Sequence, residues 1–283
     1  MASPMVEALQ VPTDRIIVAY DGMEWDEARG VGRELGDITG VAKANDIALE
    51  YGWDYTVAEF EAFGQLTMGD EKFHDTPDTV RKELYRMTRM GVGMITVHAS
   101  GGIPMMKDAV VGRDRAREDL AMDGSERKPG ARRLYLPLRV TKERVGNILA
   151  ITILTSLDDD EVNTIYGIGS DEWTVDREKK SIEFAYMAAE SGVDALVCSG
   201  AAIKGIRARR DLDRLALVVP GQKLPNGQAN TGQKSITTPD RTIELGGDFV
   251  VMGTAVTNAP EASGMSVRAA AELTAELVTK AAA

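Results

Sequence analysis

The sequence has one cysteine, Cys198, and two histidines. A single thiol cannot form a disulfide within the chain, so a covalently stapled fold is excluded and a reducing, cytoplasmic setting is expected. So small a supply of imidazole and thiol also argues against a zinc centre, and no metal is expected. No apolar run approaches the ~18 residues of a membrane span. Residues Met1 to Asp14 lack a basic run followed by an apolar stretch, so no signal peptide and no membrane association are expected. Positive charge is in deficit: 33 Lys and Arg stand against 44 Asp and Glu, a net charge of −11. Such a surface repels nucleic acid and anionic lipid, although a local basic pocket can still focus an anion. A Gly-x-Gly-x-x-Gly fingerprint is missing after the first strand-like run, which argues against a doubly wound dinucleotide fold. No linker of Pro, Gly or Ser divides the chain, so residues 1–283 are expected to form one domain.

What is present is a rhythm. Strand-like runs occur at Arg15–Tyr20, Gly40–Lys43, Leu66–Lys72, Met94–His98, Asn147–Leu154, Ala195–Cys198, Leu215–Val219 and Phe249–Met252. Several are almost continuously apolar, as strands buried on both faces should be. Amphipathic stretches lie between them. Val80, Leu84 and Met87 recur at helical spacing, and Asp75-Thr76-Pro77 reads as a helix start with a capping carboxylate and proline in the first turn. About eight strand–helix units close a barrel, which typically takes ~250 residues. The fold class expected is α/β, a (β/α)8 TIM barrel. A segment at about 123–147, rich in Arg and Lys, interrupts the rhythm. It follows a helix and precedes a strand, which places it on the barrel face opposite an active site, as a solvated insertion or a subunit contact.

The chemistry concentrates in Gly69-Asp70-Glu71-Lys72-Phe73-His74-Asp75-Thr76-Pro77-Asp78-Thr79. Asp70 and Lys72 are two apart on a strand and so point the same way. They stand where a strand gives way to a helix, the catalytic end of a barrel. Charges inside a barrel must be partnered or functional, because an unpaired buried charge is very costly. By spacing alone, Asp70 and Lys72 read equally as a structural ion pair, Asp75 as a helix cap, and His74 as a packed or hydrogen-bonding residue.

Asp-x-Lys-x-x-Asp followed by Thr-Pro-Asp-Thr-Val resembles the signature of the orotidine monophosphate decarboxylase family. The similarity continues in order from about Arg15 to Pro260. Ile16-Ile17-Val18-Ala19-Tyr20-Asp21 is similar to the family's first strand, ending in the aspartate that binds the ribose hydroxyls. Lys43 matches the family's second lysine. Val97-His98-Ala99-Ser100-Gly101-Gly102 resembles the close of strand four, and Leu154-Thr155-Ser156 the pyrimidine-contacting end of strand five. Val197-Cys198-Ser199 and Val219-Pro220-Gly221 match strands six and seven. The resemblance implies a decarboxylase that needs no cofactor and converts orotidine monophosphate to uridine monophosphate in pyrimidine nucleotide biosynthesis. It implies an alternating catalytic row of charges, Lys43, Asp70, Lys72 and Asp75, with Lys72 as proton donor to the C6 carbanion and Lys43 and Asp75 holding Lys72 charged and aimed. Asp75 and Thr79 would be contributed by the other subunit of a homodimer with shared active sites.

The match departs at the phosphate. The family's arginine after the strand-eight glycine is Thr254 here, following Gly253, and a second arginine after the strand-seven Pro-Gly is Lys223. A lysine keeps the charge but loses the bidentate fork. Gln233 matches the phosphate-loop glutamine, Lys234 is a further candidate, and backbone N–H groups near Gly253 remain as donors. The substrate-binding set expected is thus Asp21, Thr79, Thr155, Ser156, Pro220, Lys223, Gln233, Gly253 and Thr254. Two alternatives follow: a diverged relative acting on another acid, either a non-phosphorylated nucleoside or a sugar phosphate, and a non-catalytic nucleotide-binding barrel.

Overall fold

The computed structural model describes residues 4–7, 9, 11–121, 144–167, 174–225 and 237–283. Most of the basic insertion expected at 123–147 lies outside the described residues. Eight strands follow one another along the chain: β1 Ile16–Ala19, β2 Val41–Ala44, β3 Leu66–Phe73, β4 Met94–His98, β5 Asn147–Ile151, β6 Ala195–Val197, β7 Ala216–Val219 and β8 Phe249–Met252. They pair in parallel, each with the next, and β8 returns to β1 to close a barrel. Helices connect successive strands on the outside. This is the (β/α)8 barrel that the alternating pattern predicts.

Strand alternation sorts the side chains into two environments. Ile17, Val41, Met68, Met94, Leu149, Ala195, Ala216, Val218, Phe249 and Val251 pack with one another inside the barrel. Met5, from a short helix at Pro4–Glu7, joins that cluster. The alternate residues, such as Ile16, Val18, Ile95, Val97, Leu196 and Leu217, are buried against the outer helices. Asp21, Lys43, Asp70 and Lys72 stand instead at or just beyond the C-terminal ends of β1, β2 and β3.

The helix Pro77–Arg89 buries Val80, Leu84 and Met87 at the spacing read from the sequence. It packs on the helix Gly102–Ala121. Their approach requires Gly112, because a Cβ there would stand 2.1 Å from the Arg81 carbonyl oxygen. Two local expectations change. The cap position of Pro77–Arg89 is Thr76, and the Asp75 carboxylate accepts from the Thr76 N–H at 2.5 Å rather than from a helical N–H. Proline at the first helical position leaves fewer free donors for a cap. Strand β5 ends at Ile151 rather than Leu154: Thr152 sends both its N–H and its hydroxyl to the Val197 carbonyl, each at 3.0 Å, and the chain turns away.

Candidate active site

Strand β3 is eight residues long and carries an irregularity. Gly69 pairs with Ile95 and Phe73 with Val97, so β3 advances four residues while β4 advances two. The excess is a bulge. At its end Lys72 has φ +54°, the one positive φ at a non-glycine among the described residues. That left-handed backbone costs about 1–3 kcal/mol and persists only where surrounding contacts hold it.

Those contacts are specific. The Lys72 N–H donates to Thr96 Oγ1 at 2.8 Å. The Thr96 hydroxyl donates to Asp70 Oδ1 at 3.1 Å. The Asp70 carbonyl accepts from Asn45 Nδ2 at 2.7 Å and from Lys72 Nζ at 3.1 Å. The bulge therefore turns the Lys72 and Asp70 side chains toward each other at the mouth of the barrel.

Asp70 is 8 % exposed. Its Oδ2 lies 3.0 Å from both Lys43 Nζ and Lys72 Nζ. Lys43 also pairs with Asp21. The row thus alternates in sign: Asp21, Lys43, Asp70, Lys72. Burial alone would raise the Asp70 carboxyl, but Lys43 and Lys72 outweigh it and hold the group below the ordinary aspartate value. Burial would lower the Lys43 ammonium, but Asp70 and Asp21 outweigh that and hold it above the ordinary lysine value. Both groups are therefore charged at neutral pH. Beside the row, His74 and His98 face each other with ring centroids 5.5 Å apart. Burial, with His74 and Lys72 adding, lowers the His98 pKa.

A cavity of about 320 Å³ opens above the row. Small-molecule sites typically occupy ~300–1,000 Å³. Of the residues anticipated from the sequence, Asp21, Lys43, Asp70, Lys72, Thr155, Pro220, Gly253 and Thr254 line it. Ser156 and Lys223 are exposed and lie off its wall. Asp75 is exposed, and neither it nor Thr79 lines the cavity of its own chain; the Thr79 hydroxyl is 3.0 Å from that of Thr76. Gln233 and Lys234 lie outside the described residues.

Four further residues stand at the site without having been singled out: Thr96 and Asn45 in the polar network, Gln222 and Thr257 on the cavity wall. Period-two spacing could have found two of them. Asn45 is two beyond Lys43, and Thr96 lies between the inward position Met94 and His98. Cys198 also lines the cavity, and burial pushes its thiol up to about 12, which keeps it protonated.

The family model described as Orotidine 5'-phosphate decarboxylase / HUMPS family matches residues 14–268. The orotidine 5'-phosphate decarboxylase of Heliobacterium modesticaldum is 34% identical over 262 residues, covering 92% of this chain and 96% of that protein. The enzyme of the same name from Geobacter sulfurreducens is 30% identical over 251 residues, covering 89% and 92%. Among solved structures, orotidine 5'-phosphate decarboxylase from Lactobacillus acidophilus superimposes with a TM-score of 0.66 at 25% identity, covering 93% of this chain and 98% of the other. With the barrel, the bulged third strand and the charged row in place, this chain belongs to the orotidine 5′-phosphate decarboxylase / HUMPS family.

Proposed function

We propose that the protein decarboxylates orotidine 5′-monophosphate to uridine 5′-monophosphate, a step of pyrimidine nucleotide biosynthesis. The observation that carries this reading is one oxygen of a buried aspartate held by two ammonium groups, Lys43 and Lys72, facing a ligand-sized cavity. In this reading the C6–carboxylate bond breaks and its electron pair stays on C6. Carbon dioxide leaves, the Lys72 ammonium gives its proton to C6, and neutral Lys72 regains a proton from water.

Asp70 stands beside the leaving carboxylate. Two like charges ~4 Å apart repel by about 4 kcal/mol at an effective dielectric of ~20. That repulsion vanishes as carbon dioxide departs, so it acts on the bound substrate more than on the transition state. It is a fraction of the ~8–23 kcal/mol of an enzymatic acceleration. Lys43 keeps Asp70 ionised and fixed, and Asp21 takes the ribose hydroxyls. Asp75 and Thr79 enter from a second copy of the chain. Their position off the cavity wall of their own chain supports that arrangement.

The direct test follows the loss of orotidine monophosphate absorbance with purified protein and no added metal. Turnover is expected, and Lys72→Ala should abolish it while uridine monophosphate still binds. Unaltered turnover in Lys72→Ala would remove Lys72 from the mechanism.

One observation favours a second reading, an acid lacking the 5′-phosphate. Among the described residues that line the cavity, Lys43 and Lys72 are the only lysine or arginine side chains, and both are paired with carboxylates. A kcat/KM for orotidine equal to that for its monophosphate would favour this reading. A strong preference for the monophosphate would dismiss it.

A further inference from the structure

The bulge in β3 leaves a gap in the barrel's hydrogen-bonding ladder. Between the Gly69–Ile95 and Phe73–Val97 pairings, Asp70, Glu71 and Lys72 face a β4 that offers only Thr96. A buried N–H without an acceptor costs about 1–3 kcal/mol. The Lys72 N–H avoids that penalty by donating to the Thr96 side chain, not to its carbonyl. The same hydroxyl then has one hydrogen to give. Asp70 Oδ1, at 3.1 Å, is closer than the Gly69 carbonyl at 3.5 Å. Thr96 is fully buried, so no solvent competes for either bond.

We infer that Thr96 is a positioning residue for the reaction: its hydroxyl ties the left-handed backbone of Lys72 to the free oxygen of Asp70, and so sets the distance between proton donor and carboxylate. The inference rests on the decarboxylase reading above. Its geometry is one-directional in a useful way. Thr96 holds Oδ1 while both ammoniums sit on Oδ2, so the hydroxyl fixes which edge of the carboxylate faces the lysines. Without the hydroxyl, Asp70 can rotate about its side chain and Lys72 can leave φ +54° for ordinary strand backbone. Either movement shifts Lys72 Nζ relative to C6, and a displacement of ~1 Å can cost about 10²-fold in rate. Thr96 itself does not line the cavity, so ground-state binding should change little.

The test uses Thr96→Val, which keeps the shape and deletes the hydroxyl, and Thr96→Ser, which keeps the hydroxyl and deletes the methyl. Each is assayed for kcat and KM as a function of pH. The Asp70 carboxyl is followed in parallel by carbon-13 NMR of aspartate-labelled protein, with Asp70→Asn assigning the signal. Thr96→Val should lower kcat by about 10²-fold with KM within about threefold. Its Asp70 midpoint and the acid limb of kcat should both rise, because a hydrogen bond to the charged form is lost. Thr96→Ser should recover most of kcat and the wild-type midpoint. A merely structural threonine would affect melting temperature in both variants and leave the midpoint where it was. A folded Thr96→Val with wild-type kcat and midpoint would overturn the inference. Should the valine variant fail to fold, a folded Thr96→Ser that keeps the hydroxyl yet loses about 10²-fold in kcat or shifts the Asp70 midpoint would overturn it as well. If the wild type does not turn over orotidine monophosphate, the decarboxylase reading fails, and with it the role in that reaction; the Asp70 midpoint still reports whether Thr96 holds the carboxylate.

Discussion

Lys43 and Lys72 converge on the same oxygen of Asp70, each 3.0 Å away, although 29 positions separate them along the chain. Two ammonium groups this close are tolerable only because the carboxylate lies between them. The carboxylate in turn is tolerable in its buried position only because both lysines hold it. The three charges therefore stand or fall together.

Asp70→Asn tests that dependence. Removing one partner from a buried ion pair costs about 3–5 kcal/mol. Unfolding by urea at pH 7 should show a loss of that size, with the fold retained by circular dichroism. The pH dependence has a definite sign. Asp70 titrates below its ordinary value in the folded state, so its stabilisation is present at neutral pH. It is lost as pH falls through that lowered value. The gap between wild type and Asp70→Asn should therefore narrow in strongly acidic buffer. A gap that stays constant from pH 7 to pH 3 would show that the charge of Asp70 is irrelevant to stability.

Glu61 offers the opposite sign. Both of its carboxylate oxygens are buried without a hydrogen-bond partner, on the helix Trp53–Ala62. Burial raises its pKa to about 7, with Arg144 pulling the other way. A carboxyl raised in the folded state destabilises the fold as pH climbs from the ordinary value through the folded one. The side chain as a whole is only half-buried although its oxygens are covered, so the effect is about 1 kcal/mol rather than the full shift. Glu61→Gln should raise the melting temperature at pH 8 and leave it nearly unchanged at pH 5. Equal effects at the two pH values would refute the assignment.

Cys198 lies on the cavity wall, and its thiol is the single one in the chain. Proximity to an active site often signals a reactive thiolate, but here burial pushes the pKa to about 12. Native protein should resist iodoacetamide at pH 8 and be fully alkylated once unfolded in urea. Rapid labelling of the native state, with loss of activity, would contradict the buried position.

The barrel was legible because its strands are apolar on both faces. Runs such as Ile148-Leu149-Ala150-Ile151 and Leu217-Val218-Val219 read as strands without knowledge of their neighbours. Asp70 and Lys72 were legible because charge in such a run must have a reason. Thr96 was not, since threonine between Ile95 and Val97 reads as an ordinary strand former, and only the β3 bulge gives its hydroxyl two partners. The bulge itself left no local signal: the left-handed residue is Lys72, not a glycine. The end of β5 left no local signal either, because β6 stops at Val197, the partner of Ile151, while Ile153 and Leu154 beyond it are still apolar.

In the proposed reading Thr254 faces the 5′-phosphate of the substrate at the far end of the cavity. It is the first residue of the short helix Thr254–Thr257, it is exposed, and it lines the cavity, where the only described lysine or arginine side chains, Lys43 and Lys72, are already paired with carboxylates. A hydroxyl can give a phosphate one hydrogen bond, whereas a guanidinium gives two in parallel with full charge. Charged hydrogen bonds contribute about 1.5–3 kcal/mol, which corresponds to ten- to hundredfold in affinity. Thr254→Arg should therefore lower the KM for orotidine monophosphate by about that factor while leaving the KM for orotidine unchanged. Because phosphate binding remote from the reacting carbon also feeds the chemical step, kcat should hold or rise. If the variant gains nothing toward the monophosphate, or gains equally toward orotidine, position 254 does not face the phosphate and the pose drawn from the charged row is wrong at that end.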